Sequence, residues 1–67
     1  MDNAFVAYSF ATRKPEGGYE EVRRESNDEP MWDISRKGLM SQLDYARKQA
    51  GDRELFILTR ITIAEGV

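Results

Sequence analysis

At 67 residues the chain makes one domain, and a domain this short buries only about 60 % of the surface its unfolded form exposes, so its stability is marginal unless something adds to it. With no Cys a disulfide is excluded, and with neither Cys nor His a structural zinc site lacks its normal ligands. The formal net charge of −2 and pI near 5.0 supply none of the basic excess that non-specific nucleic-acid binders carry.

No apolar run approaches the roughly 20 residues that cross a bilayer, and the N-terminus has neither the basic start nor the hydrophobic segment of a signal peptide. The sequence therefore reads as a cytoplasmic protein, complete from Met1, with no membrane association and no cofactor. Residues 1–67 form a single domain. With disulfide and metal set aside, association with a second chain is the remaining route to added stability.

In chain order, residues 4–13 read as a first strand. Phe5, Ala7, Ser9 and Ala11 share one face, and Val6, Tyr8, Phe10 and Thr12 the other. Lys14-Pro15-Glu16-Gly17-Gly18 is a turn, with proline presetting one dihedral and glycine supplying positive φ. Residues 19–25 return as a second strand, with helix or irregular chain the alternative. The charges around Tyr19 and Val22 suit a sheet edge. A polar linker, 26–30, ends at Pro30, and Met31-Trp32 lead into a helix over 35–50. Ser35 is its expected N-cap, with Asp33 the alternative, and Ile34 is placed to staple onto Leu39. Leu39, Leu43, Ala46 and Ala50 make one narrow stripe, widened on one side by Met40. Asp44 and Lys48 form an i,i+4 pair, and Gly51 fits the position after the helix.

Residues 54–64 are the densest β-branched and apolar run, and read as the last strand. Leu55, Ile57, Thr59, Ile61 and Ile63 alternate with Phe56, Leu58, Arg60, Thr62 and Ala64. The order is β-β-α-β, an α+β fold in which one helix packs on one face of a three-stranded, mostly antiparallel sheet. The last strand is expected in the centre, with the first beside it.

One helix can cover one face of that sheet. Ile57, Ile61 and Ile63 are its expected partners, which puts Phe56 and Leu58 on the uncovered side with Tyr8 and Phe10, or with Phe5, according to phase. Three things could lie there: the chain's own Met31, Trp32 and 19–30 segment, a second copy, or a different partner.

The candidate partner-binding residues follow. Phe56, Leu58, Tyr8 and Phe10 supply apolar surface, and Trp32 is either an interface anchor or the seal of a small core. Arg23 and Arg24 lie in a segment of mixed charge that is a solvated edge or a docking surface. Arg36 and Lys37, with the Ser35 hydroxyl and free N–H groups of the first helical turn, suit an anion, or are simply solvated or paired with Asp28, Glu29 or Asp33. The Ser-Arg-Lys-Gly string is not a P-loop, lacking the upstream glycine and preceding strand. Enzymatic chemistry has little to stand on: there is no His to move protons near neutral pH and no Cys nucleophile.

A helix at 35–51 followed by a strand at 55–63, in a chain this short, resembles small phage-encoded accessory proteins that bind and inhibit host factors or defence complexes. The resemblance is one of class, and it implies a protein target. The expected function is that of a small non-enzymatic interaction protein, a homodimer, that modulates or inhibits another macromolecule. The alternative is a nucleic-acid-binding module that stacks bases on Tyr8, Phe10 and Phe56, with Arg23, Arg24, Arg36 and Arg60 as phosphate contacts.

Overall fold

A computed structural model describes residues 3–67 and gives the order β1 (Asn3–Arg13), β2 (Tyr19–Glu21), α1 (Arg36–Met40), α2 (Leu43–Ala50), β3 (Phe56–Ala64). The sheet is antiparallel throughout, in the order β2-β1-β3. The central strand is therefore β1, not the last strand as expected from apolar density. The physical reason is charge: residues 3–12 carry no charged side chain, whereas β2 holds Glu20 and Glu21 and β3 holds Arg60. A strand with a neighbour on both sides has no room for charge, while an edge strand tolerates it.

Gly17 and Gly18 take φ of 107° and 80° in the β1–β2 turn, which Lys14 N–H closes by donating to the Gly18 carbonyl at 3.0 Å. β2 is only three residues long, but its edge is continued by single contacts. Val22 N–H donates to the Phe10 carbonyl, and Asp33 exchanges two backbone hydrogen bonds with Tyr8, at 2.7 and 2.8 Å. Between them the chain makes a small excursion closed by an Arg23–Pro30 bridge, with Asp28 at φ 55°. Tyr45 of α2 pins the excursion, its hydroxyl accepting from Glu25 N–H at 2.8 Å.

The single helix expected over 35–50 is two. Gly38 weakens the first turn, the Ser41 hydroxyl donates to the Gly38 carbonyl at 2.6 Å, and Gln42 N–H donates to Leu39 rather than to Gly38. A serine that satisfies a helical carbonyl with its own side chain competes with the next backbone N–H and bends the helix. The core-facing stripe survives the break: Leu39, Ala46 and Ala50 are buried and Leu43 is half-buried. Ser35 is the N-cap, its hydroxyl accepting from Gly38 N–H at 3.0 Å, and Gly51 ends α2 at φ 66°. Ile34 does not staple onto Leu39. Its neighbours Asp33 and Ser35 are fixed by the Tyr8 pairing and the cap, which leaves Ile34 87 % exposed. No Asp44–Lys48 ion pair closes among the described residues.

The helices cover one face of one end of the sheet. Phe10, Val22, Met31, Leu39 and Ala46 form the buried cluster, with Tyr8, Leu43, Tyr45, Leu55 and Ile57 packed against it. Nine residue pairs join β1 to β3, and antiparallel strands rise about 3.4 Å per residue, so the ribbon is about 30 Å long. The eight residues of α2 span about 12 Å at 1.5 Å each. The helices end before the ribbon does, and the molecule is drawn out to 45 × 29 × 21 Å.

Candidate interaction surface

Cross-strand partners share a face, so the β1–β3 register assigns every side chain. Tyr8, Phe10 and Ile57 lie on the helix face, and Ile61 and Ile63 continue the same row. The opposite, open face carries Phe5, Ala7, Ser9 and Ala11 of β1, against Thr62, Arg60, Leu58 and Phe56 of β3. Arg13 and its partner Tyr19 extend it.

On the open face the small β1 side chains let larger neighbours close over them. Phe56 meets Tyr19 edge to face at 5.1 Å, and the Arg13 guanidinium sits 5.1 Å from the Phe56 ring. Arg60 lies 4.2 Å over the Trp32 ring, which brings Trp32 to this face. Ser9 and Ala11 beneath are fully buried. The chain's own Tyr19 and Trp32 therefore cover much of the second face. Phe56 and Leu58 are half-buried there rather than open, while Met31 turns the other way into the helix-side core.

Tyr8 and Phe10 lie across the sheet from Phe56. Phe10 is buried, and Tyr8 is half-buried with Arg36 5.8 Å from its ring. The three aromatics proposed for base stacking thus do not share a surface. Arg23 donates to the Asp28 carbonyl at 2.7 Å and lies 4.0 Å from Glu21. With Arg24 and Arg53 it lines a cleft of about 390 Å³ whose other walls include Glu20, Glu25 and Asp28. Arg53 is itself spent on the Ala50 and Gln49 carbonyls at the end of α2. The charged lining of the cleft is mixed, four acidic residues to three arginines.

At the start of α1, where an anion site is expected at Arg36 and Lys37, the chain brings a carboxylate of its own. The Asp33 carboxylate accepts from Ser35 N–H at 2.9 Å and lies against Gly38, and the Ser35 hydroxyl takes Gly38 N–H. Ser35 N–H and Gly38 N–H are thereby taken, and the Asp33 carboxylate puts a negative charge beside the start of α1, which opposes binding of a second anion there. Among the described residues no group of three or more acidic, His or Cys side chains could hold a metal, and no helix is long and apolar enough to cross a membrane.

Besides Ile34, Met40 and Tyr19, which stand open singly, exposed apolar side chains gather at the far end of the ribbon. Phe5 is 63 % exposed, Ile61 64 % and Ile63 63 %, with Val6 beside them. Full burial of an Ile or Phe is worth about 1.5–3 kcal/mol, so these three forfeit about 3–6 kcal/mol in all. That approaches the whole stability of a small domain. Sequence reasoning gave Ile61 and Ile63 to the helix and so missed them. The available signal was length: even an unbroken helix of 16 residues spans only about 24 Å, less than the ribbon it would have to cover.

No protein-family model, curated protein or solved structure matches this chain, so the functional reading rests on its own geometry.

Proposed function

We propose that the chain is a small non-enzymatic interaction protein that works as a homodimer and acts by occupying a surface of another macromolecule, modulating or inhibiting it as the small phage proteins it resembles in class do. One observation carries this reading: the β1–β3 ribbon projects past the helices with Phe5 on one face and Val6, Ile61 and Ile63 on the other. A chain this small gains stability and affinity together by covering such residues. The charged cleft by Arg23 and Arg24 is polar and open, a rim that orients an encounter more than it tightens it.

The test is capture from bacterial lysate by the immobilised chain, compared with Phe5→Asp. Phe5 is exposed and outside the buried cluster, so the variant keeps its fold, which circular dichroism checks. Partners retained by the parent chain and lost by the variant support the reading. Identical partners for both, or none, count against it. The nucleic-acid alternative makes a separate prediction, a steep fall of oligonucleotide affinity between low and moderate salt.

A further inference from the structure

We propose that the homodimer forms by antiparallel pairing of the outer edge of β3 with the same edge of a second copy, centred on Ile61 facing Ile61. This rests on the homodimer reading above and names the surface that makes it.

The backbone directions come first. Tyr8 spends both its N–H and its C=O on Asp33, and the Phe10 carbonyl accepts from Val22, so the even-numbered residues of β1 point away from β3. In an antiparallel ladder, bonded and non-bonded pairs alternate. Tyr8–Thr59, Val6–Ile61 and Ala4–Ile63 are therefore the non-bonded pairs. It follows that Thr59, Ile61 and Ile63 aim their N–H and C=O groups at the open edge of the sheet. Ile61 and Ile63 also carry the exposed aliphatic side chains, so one stretch offers both a free ladder and an apolar row.

Exposed edges are ordinarily protected by proline, lysine, bulges or brevity. β3 has none of these: it is nine residues long, regular in register, and its one charge, Arg60, is drawn inward over Trp32. The opposite edge is short and broken, and past the Tyr8–Asp33 bridge only Ala4 and Val6 of β1 face outward without a partner among the described residues. β2 is three residues long, carries Glu20 and Glu21, and gives way to the 23–30 excursion. A second copy is the occupant that fits this asymmetry. Two β3 edges consume each other around a two-fold axis and leave only short, interrupted edges outside, so the assembly closes as a dimer.

Registers that oppose odd-numbered residues of β3 to one another match the outward backbone groups, and of these the ones that bring the exposed Ile61 and Ile63 to the seam, rather than the half-buried Ile57, join the apolar rows of the two copies. Centring on Arg60 sets two guanidinium groups face to face, and centring on Thr62 shortens the ladder. Centring on Ile61 places Thr59 opposite Ile63, Arg60 opposite Thr62 and Leu58 opposite Ala64. On the helix face it makes a continuous row of Val6, Ile61 and their two symmetry mates. The seven residues 58–64 span about 24 Å, a small contact that separates on dilution.

The chain lacks cysteine, so single cysteines report cleanly. Sedimentation of the parent chain as a function of concentration is expected to approach twice 7.7 kDa. Under mild oxidation Ile61→Cys is expected to give a linked dimer, because the two Cα atoms sit about 5.5 Å apart, within disulfide reach. Ile63→Cys, equally exposed, lies about 14 Å from its mate and is expected to link at least tenfold more slowly. Ile61→Lys, checked for fold by circular dichroism, is expected to sediment as a monomer. A parent chain that stays monomeric up to about 1 mM overturns both this proposal and the homodimer reading. A dimeric parent whose Ile63→Cys links as fast as Ile61→Cys, or whose Ile61→Lys remains dimeric, overturns the edge pairing alone.

Discussion

Gly38 sits inside α1 without a positive φ, so its lack of a side chain serves space rather than backbone conformation. A Cβ added there would lie 2.5 Å from both carboxylate oxygens of Asp33, closer than real Cβ contacts come. The Asp33 backbone is held by its two bonds to Tyr8, so relief must come from rotation of the carboxylate, which ends its bond to Ser35 N–H. Replacing glycine by alanine within a helix gains about 1 kcal/mol of propensity, and losing a capping carboxylate costs about 1 kcal/mol. Gly38→Ala is thus expected to be close to neutral in the parent chain and to stabilise by about 1 kcal/mol once Asp33→Ala has cleared the space. A double-mutant cycle by urea denaturation reads this as a coupling of about 1 kcal/mol. Equal stabilisation by Gly38→Ala in both backgrounds would refute the contact.

Phe10→Ala removes a buried ring from the main cluster and is expected to cost about 3–5 kcal/mol in chemical denaturation, whereas Ile34→Ser, at an exposed position, stays within about 0.5 kcal/mol. Arg60→Ala uncovers the only tryptophan, so its emission is expected to shift to the red with a loss of about 0.5 kcal/mol; unchanged emission would show that Arg60 does not cover Trp32. Gly18→Ala forces a Cβ onto a backbone at φ 80° and is expected to cost about 1–2 kcal/mol, measured as a lowered denaturation midpoint.

Local features were legible because they depend on neighbours in sequence. The Gly17-Gly18 turn, the Ser35 cap, the Gly51 terminus and the Leu39–Ala50 stripe follow from residue type and spacing. Strand order was not read from apolar density, which favoured β3. The charge-free run of residues 3–12 carried the information instead, since a central strand excludes charge more strictly than it demands aliphatic bulk. The helix break accompanies a Ser41–Gly38 hydrogen bond that composition does not announce. At the surface, Phe56 and Leu58 were placed on the face away from the helices, where they lie. That Tyr19 and Trp32 reach over them is not legible in the sequence, because it needs the long-range Asp33–Tyr8 pairing. The exposed residues Ile61 and Ile63 went unrecognised because a stripe in sequence says which face a helix covers, not how far along it reaches.

The outward backbone groups of β3 allow the most direct measurement, amide hydrogen exchange resolved by residue at several chain concentrations. Arg60 and Thr62 bond inward to β1 and are expected to be protected at every concentration. Thr59, Ile61 and Ile63 are expected to exchange freely in dilute solution and to slow together as the concentration rises and copies pair. Free exchange at these three positions at all concentrations, while their even-numbered neighbours stay protected, would contradict the account.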